Sequence, residues 1–126
     1  MDWIFNDERP IYLQIADKII ERIVSGAYPA GSELPSVRDL AAEASVNPNT
    51  VQRAVGELQA RGMVHTKSTA GSTVTDDAAL ICSVRDDLAD KVIKTAVERL
   101  SALSYSSADA EKKIVKFLRR KESENS

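Results

Sequence analysis

Apolar residues in the first half of the chain recur at helical spacing in three separate segments. The three stripes are Ile11, Ile15, Ile19 and Ile23 within about Pro10 to Ser25, then Val37, Leu40, Ala41 and Ala44, then Val51, Val55 and Leu58. Recurrence at every third or fourth position places these side chains on one face of each helix. The pattern therefore predicts three short amphipathic helices that pack on one another.

The second and third helices each follow a residue that can cap a helix start. The Ser36 hydroxyl can accept from an N–H of the next turn, and Asp39 stands three residues later, as in a capping box. Asn47 is a strong N-cap, and Pro48 suits the first helical position because it lacks an N–H. We expect helices to begin at Ser36 and Pro48, joined by a tight turn.

A short β-hairpin should follow the third helix. Arg61 and Gly62 form a typical helix end. Residues 63–67 and 72–75 then predict two short strands around a turn at residues 68–71. Helix, helix and hairpin in this order are typical of a winged helix-turn-helix, so the predicted fold class is α+β.

Polar side chains occupy the outer face of the predicted third helix. Asn49, Gln52 and Arg53 are neighbours at i, i+3 and i+4, with Asn47 and Thr50 near the start of the helix. Taken alone, such residues are more often a solvated helix face. Within a helix-turn-helix, the same donors and acceptors suit the base edges of a DNA major groove.

At these segments the chain resembles the GntR-type bacterial transcription regulators, over roughly residues 9–76. The resemblance lies in Pro10-Ile11-Tyr12, in the run from Gly26 to Ala41, and in Val46-Asn47-Pro48-Asn49-Thr50-Val51. The Pro-Ile-Tyr opening, Arg53 and the short C-terminal part resemble the YtrA-like subfamily. The family resemblance implies DNA contacts from Ser36, Arg38, Asn47, Asn49 and Thr50.

Two positions of the third helix and the wing depart from the family pattern. Many relatives carry arginines where this chain has Pro48 and Gln52, so DNA contact there passes to Gln52 and Arg53. The usual Gly-x-Gly wing tip is replaced by Thr69-Ala70-Gly71. Lys67 and Gly71 remain the candidate wing residues for DNA contact.

The second half of the chain predicts two more amphipathic helices. One spans about Leu80 to Leu103, and the other starts at Ser106 or Ser107. Their apolar surface exceeds what one small domain can cover, which predicts a C-terminal α-helical hairpin that forms a homodimer. The alternative is that these helices fold back on their own winged domain. The candidate dimerisation residues are Ile81, Val84, Leu88, Val92, Leu103, Ile114, Phe117 and Leu118.

These elements predict an N-terminal arm at 1–8, a winged helix-turn-helix domain at 9–76 and a dimerisation tail at 77–126. We expect Trp3, Ile4 and Phe5 of the arm to dock either on the dimer interface or on the first helix. A chain of 126 residues leaves no room for a large ligand-binding domain. A small-molecule effector would have to bind between tail and winged domain or at the dimer interface.

The charge of the chain weighs against strong nonspecific DNA binding. The net charge is -2, and residues 9–68 hold seven Lys or Arg against six Asp or Glu. Phosphate contacts normally come from a basic surface, so one protomer should bind weakly. Two tethered copies would double the contacts, which is a further reason to expect a dimer.

The sequence does not support catalysis, so we expect a protein that is not an enzyme and needs no cofactor. A single cysteine, Cys82, excludes an internal disulfide, and with one histidine, His65, no usual zinc spacing is present. We interpret Cys82 as a buried small apolar residue, with redox sensing across the dimer as the alternative. No apolar run could span a bilayer, so we expect a cytoplasmic protein.

We therefore expect a DNA-binding transcriptional regulator, a repressor that binds double-stranded DNA at a two-fold symmetric operator as a homodimer. The competing hypothesis is a winged-helix protein interaction module that does not bind DNA. The low net charge favours the module, whereas the polar edge formed by Asn49, Gln52 and Arg53 favours the regulator.

Overall fold

The computed structural model describes residues 3–67 and 71–125. The chain divides into two compact units, Met1–Arg85 and Asp86–Ser126. The predicted boundary at 76/77 lies just before the fourth helix and stays a prediction. The elements are α1 (Ile11–Val24), α2 (Val37–Ala44), α3 (Pro48–Ala60), β1 (Val64–Thr66), β2 (Ser72–Val74), α4 (Ala78–Ala102) and α5 (Ser107–Asn125).

The core of the first unit lies where α3 packs against α1 and α2. Each helix contributes the apolar stripe that its sequence predicts, and burial of each large side chain contributes roughly 1.5–3 kcal/mol. Ile11 and Val37, at the start of two stripes, are only half-buried. The fully buried apolar residues of these helices are Ile15, Ala16, Ile19, Leu40, Val51, Ala54 and Leu58.

The caps predicted for α2 and α3 are confirmed. The Ser36 hydroxyl oxygen accepts from the Asp39 N–H at 3.0 Å. The Asn47 carboxamide oxygen accepts from the Asn49 N–H at 2.8 Å, and Pro48 takes the first helical position. Both caps satisfy N–H groups that the first turn of a helix leaves without a partner.

The turn between α2 and α3 depends on a left-handed residue. Ser45 has φ 58° and donates its N–H to the Ala41 carbonyl, and the Val46 N–H also donates to Ala41 at 3.1 Å. This conformation reverses the chain within three residues and so brings Asn47 to the start of α3. Residues other than glycine pay a steric cost there.

The hairpin forms as predicted, and its sheet has a third, short partner. In β1 and β2, Val64 faces Val74 and Thr66 faces Ser72. The segment before α2 pairs with the other edge of β2, where Leu34 N–H donates to Ser72 at 2.8 Å and Val74 N–H donates to Ser32 at 2.8 Å. The predicted turn at residues 68–71 lies outside the described residues except for Gly71.

Both predicted tail helices, α4 and α5, are present. The Ser106 hydroxyl caps α5 by accepting from the Asp109 N–H at 3.1 Å, and Ser104 turns the chain with φ 70°. Within the described part of the chain, α4 and α5 make few contacts with each other. Ala110 is the one buried residue described in the second unit. Its apolar side chains are therefore largely uncovered.

A buried arginine joins the N-terminal arm, α1 and α2. Arg22, in the last turn of α1, is 6% exposed. Its guanidinium forms an ion pair with Glu43 of α2 at 2.9 Å and donates to the Tyr28 hydroxyl at 2.5 Å. The Trp3 ring covers it, with the guanidinium carbon 4.7 Å from the ring centroid.

The arm therefore contacts the first helix, one of the two places expected from the sequence. The Gln14 side chain of α1 also holds the arm, since it accepts from the Asn6 N–H at 3.0 Å and donates to the Asn6 carbonyl at 2.9 Å. Phe5 is half-buried, whereas Ile4 is 81% exposed.

The ion pair shifts the pKa of both partners. The hydrogen bond from Arg22 is the main reason that the pKa of Glu43 lies below its usual value of 4.5. Burial alone would lower the pKa of Arg22, but the hydrogen bonds to Tyr28 and Glu43 outweigh it and raise that pKa. Both shifts favour the charged forms, so the pair stabilises the folded state near neutral pH.

Ser45→Gly should raise the free energy of unfolding by about 0.5–1 kcal/mol, because glycine adopts positive φ without the steric cost. Ser45→Val should lower it, since a β-branched residue tolerates this conformation poorly. Denaturant unfolding of both variants measures the effect. If Ser45→Val matches the wild type, the left-handed turn is not a constraint on this helix pair.

Glu43→Gln should lower the free energy of unfolding at pH 7 by about 1 kcal/mol, because Arg22 then keeps a poorly solvated charge without its carboxylate. Since the pKa of Glu43 is lowered by folding, this stabilisation is present above pH 4.5 and is lost as the pH falls through the folded-state value. Unfolding curves of variant and wild type should converge in acid.

The control for this pH series is Glu57→Gln. Glu57 pairs with Arg61 one turn along α3, and both side chains are at least a third exposed. Exposed pairs of this kind are worth about 0.3–0.5 kcal/mol. An equal loss in both variants would show that the Arg22 cluster has no special role in stability.

Candidate nucleic-acid interface

The outer face of α3 is open to solvent because its inner face fills the core. Asn49, Gln52 and Arg53 are exposed, while Val51 and Ala54 beside them are fully buried. The three polar side chains thus lie together on one side of the helix, as their spacing predicts. Asn49 and Gln52 each offer both donors and acceptors, and Arg53 offers a planar fork of donors.

The two capping residues keep a donor for an outside partner. The Ser36 oxygen already accepts from Asp39, and the Asn47 carboxamide oxygen already accepts from Asn49. Their acceptor atoms are therefore engaged within the protein, whereas the Ser36 O–H and the Asn47 amide N–H groups can still donate. Both residues are exposed. Two exposed donors beside helix starts suit the oxygens of a phosphate.

Most cations of residues 9–68 are neutralised by carboxylates of the same segment. Of the seven Lys and Arg in residues 9–68, four form ion pairs within 4.0 Å. In the described part of the chain, Arg38, Arg53 and Lys67 have no carboxylate within that distance. The paired cations are Arg9 with Asp17, Lys18 with Glu21, Arg22 with Glu43, and Arg61 with Glu57.

The three cations of residues 9–68 without an ion pair lie on α2, on α3 and directly after β1. Arg38 is exposed in the first turn of α2, Arg53 is exposed on α3, and Lys67 is exposed directly after β1. Their charge is available to a ligand because no ion pair has to be broken first. Within the described part of residues 9–68, the cations without an ion pair therefore lie on the helix-turn-helix and beside the wing.

The base of the wing brings its two predicted residues together. The Lys67 N–H donates to the Gly71 carbonyl at 2.9 Å, which closes the hairpin below the turn. Gly71 has φ +109°, and no atom lies within 4 Å of the position that a Cβ would take. A side chain at position 71 would therefore be disfavoured by the backbone conformation rather than by a lack of space. Ser68, Thr69 and Ala70 lie outside the described residues.

An aromatic residue that the sequence pattern did not assign to the site lies against α3. The Arg53 guanidinium carbon lies 4.0 Å from the centroid of the Tyr12 ring, at the start of α1. Pro10, Ile11, Asn49 and Thr50 complete a surface hollow of about 370 Å³ around this pair. Thr50 is half-buried there, unlike its exposed neighbour Asn49.

The predicted dimerisation residues fall into two groups. Ile81, Val84 and Leu88, in the first part of α4, are half-buried. Those farther along the chain are open to solvent. Their exposed fractions are 70% for Val92, 69% for Leu103, 38% for Ile114, 62% for Phe117 and 53% for Leu118.

The described residues contain neither a metal-binding cluster nor a membrane-spanning helix. Within residues 3–67 and 71–125, no group of three or more His, Cys, Asp or Glu could hold a metal ion. Among the helices of these residues, none combines the length and the hydrophobicity that a bilayer span requires. Cys82, interpreted from the sequence as a small apolar residue, is exposed on α4 and forms no disulfide, so the expectation that it packs in the interior is wrong.

The helix-turn-helix, the hairpin wing and the exposed polar face of α3 define a winged helix-turn-helix DNA-binding domain. Residues 11–74 match the family described as bacterial regulatory proteins, gntR family. The chain belongs to this family, and it is a transcriptional regulator with a GntR DNA-binding domain.

Individual relatives agree with this assignment. The chain is 36% identical over 109 residues to the HTH-type transcriptional regulator YhcF of Bacillus subtilis, covering 86% of this chain and 90% of YhcF. It is 39% identical over 69 residues to the HTH-type transcriptional repressor YtrA of the same organism, covering 55% of this chain and 53% of YtrA. The resemblance to the YtrA-like group is thereby confirmed.

A solved structure is similar along nearly the whole chain. A GntR family transcriptional regulator from Listeria monocytogenes aligns with a TM-score of 0.78 at 34% identity, over 92% of this chain and 98% of that one. The similarity therefore includes the tail helices as well as the winged domain.

Proposed function

We propose that this regulator is a repressor that binds a two-fold symmetric operator as a homodimer. The observation that carries the proposal is the placement of its unpaired cations. Arg38, Arg53 and Lys67 lie on α2, α3 and the wing, whereas the other cations of residues 9–68 are neutralised by the scaffold. Such a surface fits DNA, because DNA offers phosphates beside base edges that hydrogen bonds can distinguish.

In the proposed complex, α3 of each protomer enters a major groove. Asn49, Gln52 and Arg53 face the base edges, where amide and guanidinium groups make paired hydrogen bonds. Ser36, Arg38 and Asn47 donate to phosphates and fix the position of the helix. Lys67 and Gly71 bring the wing to the neighbouring minor groove. Thr50, at the start of α3, lies beside the DNA backbone.

A second copy of the chain is proposed because the apolar face of the tail is exposed. Eight large apolar residues of the second unit are more than a third exposed, and α4 and α5 hardly cover each other. A monomer rarely keeps such a surface in water. A two-fold pair of tails would cover it and would set the distance between two α3 helices. The residues are Val92, Ile93, Val97, Leu103, Ile114, Val115, Phe117 and Leu118.

A dimer bound across a promoter would repress transcription, because it would exclude polymerase from that DNA. The relative YtrA, described as a repressor, supports this direction of control. We place the protein in the cytoplasm, where its operator would be. A small-molecule effector would act by changing the geometry of the dimer and with it the match to half-site spacing.

Arg38→Ala should weaken operator binding by about tenfold, because one charge-assisted phosphate contact is lost in each protomer. The loss should be similar on operator and nonoperator DNA, and the salt dependence of binding should become less steep. Fluorescence anisotropy across a salt series measures both effects.

The control is Arg85→Ala, which removes the same charge from an exposed position on α4. Its affinity should stay within about twofold of the wild type. Unchanged affinity in Arg38→Ala, with the dimer intact, would contradict the DNA-binding assignment of this surface. Binding of wild type that does not weaken with salt would favour a protein interaction module instead.

Val92→Glu should weaken the dimer by about a hundredfold or more, because a carboxylate would be buried in the proposed apolar interface. Sedimentation equilibrium measures the change in mass, and helix content by circular dichroism shows whether the tail still folds. Lys94→Glu is the matched control, since it places the same side chain about 200° around the helix. Equal dimer stability in wild type and Val92→Glu would place the interface elsewhere.

A further inference from the structure

The pairing of Arg53 with Tyr12 joins two helices that are distant in sequence. The guanidinium carbon lies 4.0 Å from the ring centroid, which is well within the range of a cation–π contact. Tyr12 belongs to the first turn of α1, and Arg53 lies on the exposed face of α3. The ring is only half-buried, so it does not belong to the closed core.

Among the described residues, Tyr12 is the main contact of the Arg53 guanidinium. No described carboxylate lies within 4.0 Å of Arg53, in contrast to the arginines at 9, 22 and 61. An aromatic face restrains a planar guanidinium without occupying the N–H groups at its edge. Arg53 is thus held in place while its hydrogen-bonding fork stays available.

We propose that Tyr12 is a positioning residue for DNA recognition, one that holds the Arg53 guanidinium ready to bind a base or phosphate. This inference rests on the proposed function. Asn49 lies beside the pair at the edge of the same hollow, so the oriented fork is presented next to the other polar groups of α3.

Such a contact contributes to binding because it preorganises the Arg53 side chain. A free arginine side chain samples many rotamers and loses that freedom when it binds DNA. Stacking on Tyr12 removes part of this freedom before binding, so less is lost in the complex. It also favours ligands that match the fixed direction of the fork, which should improve discrimination between operator and nonoperator DNA.

The test compares four variants in operator binding: Tyr12→Phe, Tyr12→Leu, Arg53→Ala and the double variant Tyr12→Leu/Arg53→Ala. Tyr12→Phe keeps an aromatic face and should bind within about twofold of the wild type. Tyr12→Leu keeps an apolar side chain but no ring, and it should bind about tenfold more weakly. In the Arg53→Ala background, Tyr12→Leu should change affinity by less than about twofold.

A second measurement needs no DNA. Protons of Arg53 that lie over the ring should be shifted upfield in the nuclear magnetic resonance spectrum of the free protein. The shift should persist in Tyr12→Phe and disappear in Tyr12→Leu. Thermal unfolding of each variant shows whether α1 remains packed, and Tyr12→Phe is the matched control for any general effect of substitution.

The outcomes separate the two claims. If the wild type binds operator DNA but Tyr12→Leu loses the same factor with and without Arg53, the positioning role is wrong and the proposed function stands. If Tyr12→Phe binds as weakly as Tyr12→Leu, ring stacking is not the cause. Absence of operator binding by the wild-type dimer would overturn the proposed function and this inference with it, even where the upfield shift of Arg53 is present.

Discussion

Burial of one face of α3 determines which residues of this helix can reach a ligand. Val51, Ala54 and Leu58 are completely buried against α1 and α2, so the opposite face of α3 must be exposed. The rotation of the helix about its axis is thereby fixed by the core. The core therefore turns the polar residues of α3 toward solvent.

The helix starts fix the position of α3 along its axis in a similar way. The caps at Ser36 and Asn47 and the left-handed Ser45 define where α2 ends and α3 begins. The capping oxygens are used inside the protein, and the donors of the same side chains remain for a ligand. The structural roles of Ser36 and Asn47 and their proposed binding roles therefore use different atoms of the same side chains.

Charge placement explains how a chain with net charge -2 can carry a DNA-binding domain. The carboxylates Asp17, Glu43 and Glu57 pair with cations of the scaffold, which removes those cations from the surface potential. In the described part of residues 9–68, the cations without an ion pair are Arg38, Arg53 and Lys67. Because each protomer would then make few phosphate contacts, we expect binding to be weak until two copies are joined by their tails.

The sequence predicts what depends on local chemistry, and misses what depends on contacts between distant residues. Helix stripes and caps are encoded within a few positions, so the bounds of α1, α2 and α3 follow from spacing and from Ser36 and Asn47. The pairing of the segment before α2 with β2 is missed because that segment is short and shows no alternation. The placement of arginines against Trp3 and Tyr12 is missed for a related reason, since each contact joins separate elements.

Two copies of this chain are proposed to read one two-fold symmetric DNA sequence. Selection of bound sequences from a random DNA pool at moderate salt tests this proposal, with the mass of the complex measured in the same buffer. We expect a palindromic motif whose half-sites are bound by a dimer. A well-folded dimer that selects no motif, or a motif without symmetry bound by a single chain, would contradict the claim.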